Sequence, residues 1–126
     1  MKSLFALPFL ALALTSFQAS ALCLYVTESF GGILPPDSAR TANGPFSITS
    51  AGGCAGASIN ATVSAGGAGR APEVYIEREV GGAWSRVSFG IGSNTSFSGG
   101  YGTYRVTVKN SDATPKSYSG TVRYGR

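Results

Sequence analysis

Histidine, the side chain that most often moves protons at neutral pH, does not occur in this chain of 126 residues. A Ser-His-Asp triad, a Cys-His dyad and an imidazole metal site are therefore excluded by composition. Six carboxylates, ten basic side chains, two cysteines and many hydroxyls remain. Glu77 and Glu79 have the spacing of a glycosidase pair, because residues two apart on a strand share a face and their carboxyl groups lie within the reach that chemistry needs. Arg86 falls on the same face, and a solvated cross-strand ion pair is the ordinary expectation for such a group. Lys109 and Lys116 would suit a Ser-Lys dyad, yet no Gly-x-Ser-x-Gly or Ser-x-x-Lys singles out a nucleophile. Glu28, Asp37 and Asp112 stand alone in loop-like sequence, too dispersed for a calcium loop. The expectation is a chain that is not an enzyme and holds no metal and no cofactor.

The N-terminus sets the compartment. Met1-Lys2 leads into an apolar run from Leu4 to Leu14 and then Ala19-Ser20-Ala21, the charged, apolar and small-x-small order of a secretory signal peptide. That run is too short to span a bilayer, and no later stretch approaches that length. Cleavage after Ala21 leaves one domain, residues 22–126, secreted or periplasmic, with no transmembrane segment. The cut removes Lys2 and no acid, lowering the net charge from +4 to +3. With its basic residues scattered, the domain makes no case for nucleic acid. Lipidation at Cys23 would require a small residue where Leu22 stands and would strand Cys54 as a lone thiol in an oxidising compartment. A Cys23–Cys54 disulfide is expected instead, closing a loop of about 31 residues and contributing about 3–4 kcal/mol in the chain-entropy model. Sequons occur at Asn60 and Asn94, where chance alone provides about one, and they carry no weight outside a eukaryotic source.

The elements that must position any site are strands. Glycine is abundant, leucine scarce, and Val, Ile, Tyr, Phe and Thr fall in short alternating runs. Val74–Val80, Gly81-Gly82 and Ala83–Phe89 read as a hairpin with a type I′ or II′ turn. Pairing Val80 with Ala83 sets Val74 against Phe89 and Ile76 against Val87 on one face, and Glu77 against Arg86 and Glu79 against Trp84 on the other. Thr103–Lys109 and Ser117–Tyr124 suggest a second hairpin, with Arg105, Lys109 and Arg123 outward as a possible basic stripe. Shorter alternating runs surround Leu24 and Val26, Phe46 and Ile48, and Ile59, Ala61 and Val63. About seven strands with regular turn signals predict an all-β, single antiparallel β-sandwich of immunoglobulin-like type.

Gly102-Thr103-Tyr104-Arg105-Val106-Thr107-Val108-Lys109-Asn110, followed by Tyr118-Ser119-Gly120-Thr121-Val122, resembles the closing strands of extracellular Greek-key sandwiches. It is most similar to the pre-peptidase C-terminal domains appended to secreted bacterial peptidases, over residues 45–124. The resemblance implies the sandwich fold. Glu73-Val74-Tyr75-Ile76 stands where that family has an Asp-rich strand start, and the aspartates are absent here.

Tyr75, Glu77, Glu79, Trp84 and Arg86 fall on one predicted outward face, with Tyr75 and Trp84 half exposed. Aromatic and arginine side chains together are the composition of recognition surfaces. The functional expectation is an exported binding module for a protein or cell-envelope component, acting as an accessory or an inhibitor. The alternative is a carbohydrate-binding module that stacks sugars on Trp84 and Tyr75. Arg78 breaks the pattern by sharing the face of Ile76 and Val80. Either the hairpin end projects beyond the core, or this guanidinium reaches a partner.

Overall fold

The computed structural model describes residues 22–90 and 94–126, so the expected signal peptide lies outside the described residues. Eight strands follow in order: β1 Tyr25–Leu34, β2 Ser38–Ile48, β3 Ala57–Ala65, β4 Glu73–Val80, β5 Ala83–Gly90, β6 Asn94–Gly99, β7 Gly102–Asn110 and β8 Lys116–Gly125. They form two antiparallel four-stranded sheets, β1-β8-β3-β6 and β2-β7-β4-β5, packed as a sandwich. The strand absent from the sequence count is β6. Its Asn-Thr-Ser-Phe-Ser-Gly run is turn-like in composition, and pairing with β3, Ile59 against Phe97 and Ala61 against Thr95, makes it a strand.

Alternation builds the core. On β3, Ala57, Ile59, Ala61 and Val63 are buried and the residues between them exposed, the period-two pattern of a sheet with one dry face. They meet Val74, Ile76, Tyr104, Val106 and Val108 from the other sheet. Phe46 stacks on Tyr124 across the sheets with ring centroids 3.9 Å apart.

The expected β7–β8 hairpin does not form. β7 pairs with β2 and β4, while β8 pairs with β1 and β3, so their apolar faces look at each other across the core rather than lying side by side. The crossover between them is held by Asn110, which is fully buried. Its side-chain amide donates to the carbonyls of Leu34, Pro35 and Thr114, and its Oδ1 accepts from the Asp112 N–H. A buried amide satisfied in this way fixes a loop path, whereas the sequence shows only a polar linker.

Cys23 and Cys54 are disulfide-bonded, tying the entry to β1 to the turn before β3. Gly125 packs against this bond; a Cβ there would lie 2.8 Å from the Cys23 Sγ. Gly81 and Gly82 both take positive φ, 62° and 88°, which selects the type I′ turn.

Candidate functional site

The β4–β5 hairpin starts as the sequence predicts and then departs from it. Val80 pairs with Ala83, Glu79 with Trp84, Arg78 with Ser85 and Glu77 with Arg86; between Glu77 and Ile76 the register shifts at a bulge. Ile76 then faces Ser88 and Tyr75 faces Phe89, so the expected pairs Val74–Phe89 and Ile76–Val87 are corrected. The extra residue turns Phe89 from the core to the outer face, where it is 56% exposed.

That shift assembles a layered patch on the outer face of sheet β2-β7-β4-β5. Tyr75, expected to be half exposed, is only 5% exposed. The Arg86 guanidinium lies over its ring at 3.6 Å, and Phe89 leans on it with centroids 6.3 Å apart. The Tyr75 hydroxyl donates to Glu73, whose other carboxylate oxygen accepts from the Ser111 hydroxyl at 2.8 Å. Those two hydrogen bonds, Tyr75 first, hold the Glu73 carboxyl below its ordinary range. Burial first, and then the bond to Glu73, pushes the Tyr75 phenol up.

A second layer lies beside it. The Arg105 guanidinium covers the half-buried Trp84 ring at 4.3 Å and donates through Nε to Glu77 at 2.7 Å. Glu77 also accepts from Thr107 at 2.8 Å. Glu77 sits between Arg86 on β5 and Arg105 on β7, and it bonds the latter, leaving Arg86 to Tyr75. The expected Glu77–Arg86 ion pair is therefore replaced by Glu77–Arg105. Glu79 and Arg86 are exposed, and Glu77, held to Arg105 and Thr107, is set as a structural anchor rather than as half of an acid pair.

Of the five residues the sequence brought together, all five lie on this face. Sequence reasoning missed Glu73, Arg105, Thr107 and Phe89 as members. Arg105 was legible as outward, but its neighbour was not, because β7 lies beside β4 only through a long-range pairing. Phe89 was hidden by the bulge.

Arg78 has a structural explanation. Its Nη2 donates to the Tyr101 carbonyl at 2.6 Å, and its guanidinium sits 5.7 Å from the Tyr104 ring centroid, closing the end of the core. Beyond it the hairpin does project, with Val80 and Ala83 exposed. The basic stripe does not form. Arg105 and Lys109 are on one sheet, whereas Arg123 is on the other, stacked on Tyr25 at 4.2 Å.

A concave feature lies between the edges of β1 and β2. Glu28, Asn43, Pro45, Phe46, Tyr124 and Arg126 line a groove of about 440 Å³. The Asn43 Oδ1 is buried there without a hydrogen-bond partner among the described residues. No cluster of three or more His, Cys, Asp or Glu suited to a metal occurs among the described residues. None of their helices is long and apolar enough to cross a membrane.

No family model matches this chain, and no curated protein matches it. Among solved structures, the chain is similar to a protein of Bacillus endospore appendages, described as a novel family of disulfide-linked pili. Identity is 13%, 87% of this chain and 96% of that one are covered, and the TM-score is 0.40.

Proposed function

We propose that this protein is an exported, disulfide-braced, non-enzymatic β-sandwich that binds a protein partner of the cell envelope or its surroundings through the outer face of sheet β2-β7-β4-β5. The observation that carries this reading is the guanidinium layer, Arg86 on buried Tyr75 and Arg105 on Trp84, with Phe89 exposed beside it. Arginine held over an aromatic ring has already lost much of its conformational freedom, so docking a partner on it costs less entropy. Trp, Tyr and Arg side chains in this arrangement carry much of the binding energy in protein interfaces. A sugar-stacking platform needs a bare ring, and Tyr75 lies beneath Arg86; this favours a protein over a carbohydrate. Export is supported by the leader-like N-terminus and by the paired cysteines. A secreted peptidase is the partner that the pre-peptidase resemblance would imply.

The test is recovery of a partner from the native envelope fraction with wild type and with Trp84→Ala/Arg86→Ala, read beside a thermal melt. Binding is expected to weaken by about 2 kcal/mol or more with the fold retained. Unchanged recovery with a retained fold removes this face as the site.

A further inference from the structure

Of the four strands at sheet edges, three are protected against a further strand. β2 breaks register twice and contains Pro45, which offers no N–H. β5 carries the bulge, and β6 is six residues long and is joined to β5 through the Ser88 side chain, which bonds Thr95 and the Ser96 carbonyl. β1 has no bulge, no proline and no short span, and its one inward charge, Glu28, is a countercharge to be met rather than a barrier. Its ten residues run in unbroken register along β8. Its outward face has an exposed apolar residue at each end, Tyr25 at 41% and Ile33 at 62%, with Thr27, Ser29 and Gly31 between them.

We infer that β1 pairs antiparallel with β1 of a second copy of this chain about a two-fold axis through Ser29, joining two four-stranded sheets into one of eight. A strand apolar at both ends and polar in the middle is complementary to its own reverse, the requirement of a two-fold interface in which residue i meets j and j meets i. With Ser29 on the axis, Tyr25 lies opposite Ile33 of the second copy, and Thr27 opposite Gly31. Both exposed apolar side chains are then covered twice over.

Charge selects the same occupant. Glu28 faces inward, on the side of Val26 and Phe30, where it accepts from the hydroxyl of Tyr124 on the neighbouring β8 at 3.2 Å. Arg40 on β2 stands beside Gly32, its Nη1 3.7 Å from the place a Cβ on Gly32 would occupy. Neither Glu28 nor Arg40 has an ion-pair partner among the described residues. Within one chain, Glu28 and Gly32 are four residues apart along the strand, roughly 13 Å. Across the axis, Glu28 opposes Phe30 of the second copy and lies one diagonal, about 7–8 Å, from its Gly32, within reach of its Arg40. The two Glu28 carboxylates also approach each other there, and the two Arg40 side chains supply the countercharge.

Sedimentation of the purified chain over a rising concentration series tests this. A monomer–dimer equilibrium is expected, weakened about tenfold or more by Ile33→Lys. Glu28→Arg and Arg40→Glu should each weaken it and the two combined restore it. Ser29→Cys should form a disulfide-linked dimer on mild oxidation, and Thr27→Cys, whose counterpart is far from it across the axis, should not. All these changes are at exposed positions, so melts should confirm an intact fold in each variant. A monomer at every concentration, equal crosslinking at position 27, or a dimer indifferent to Ile33→Lys would overturn the inference.

Discussion

The two outer faces of the sandwich are built on similar strands and differ in almost everything else. On sheet β1-β8-β3-β6 the register is unbroken, and the outward side chains form straight rows, Thr27–Arg123–Asn60–Ser96 and Ser29–Thr121–Thr62–Asn94. Apart from Tyr25 and Ile33 at the two ends of β1, the outward side chains are polar and mostly short; the hydroxyls of Thr62 and Thr121 hydrogen-bond at 3.0 Å, and Arg123 is the single charge. On sheet β2-β7-β4-β5 the register shifts at three places, and the outer face carries Glu73, Glu77, Glu79, Arg86, Arg105 and Lys109 around Tyr75, Trp84 and Phe89. One buried aromatic, Tyr75, gives that face a small core of its own. A regular ladder distributes side chains evenly; a bulge concentrates them, here by turning Phe89 outward beside Tyr75. On the function proposed above, the irregular face is the one that meets a partner.

The sharpest way to break this contrast is to remove Tyr75. Tyr75→Ala should cost about 3–4 kcal/mol, the range of a buried aromatic truncation, whereas Thr62→Ala on the regular face should stay within about 0.5 kcal/mol. Denaturant melts measure both, and equal costs would show that the layer over Tyr75 contributes nothing. Next comes Glu77→Ala, which leaves the half-buried Arg105 guanidinium and the buried Thr107 hydroxyl without their acceptor. A loss of about 1–2 kcal/mol is expected in the same melts, more than a solvated surface pair gives.

A smaller effect concerns pH. The Tyr75 and Ser111 hydrogen bonds hold the Glu73 carboxyl below its ordinary value of 4.5. A depressed carboxylate contributes stability that is fully present above the unfolded value and is lost as pH falls through the folded one. Stability followed from neutral pH to below 4.5 should therefore decline, and Glu73→Gln should flatten that part of the profile.

Local order was readable from the sequence, and long-range order was not. The two-residue turn at Gly81-Gly82, the first four pairs of the β4–β5 hairpin and the Cys23–Cys54 bond all followed from spacing and residue type, while the choice of type I′ over II′ came from the backbone. The bulge did not, because nothing between Arg86 and Phe89 except an ordinary Val87-Ser88 marks it. Thr103–Lys109 and Ser117–Tyr124 alternate as a hairpin would, and only the satisfied amide of Asn110 shows why the chain crosses to the other sheet. Five members of the patch were legible because they lie on one hairpin. Arg105 and Thr107 reach it from β7, through a pairing that composition cannot announce.

The central claim, that the irregular face meets a protein partner and the regular face does not, is tested most directly by site-specific photocrosslinking. A photoreactive phenylalanine analogue is placed at Phe89 in one variant and at Thr121 in another, both exposed, and each protein is irradiated in its native envelope setting. A discrete covalent adduct from position 89, absent from position 121 and abolished by Arg86→Ala, is the predicted result. Adducts from position 121 alone, or equally from both positions, would contradict it.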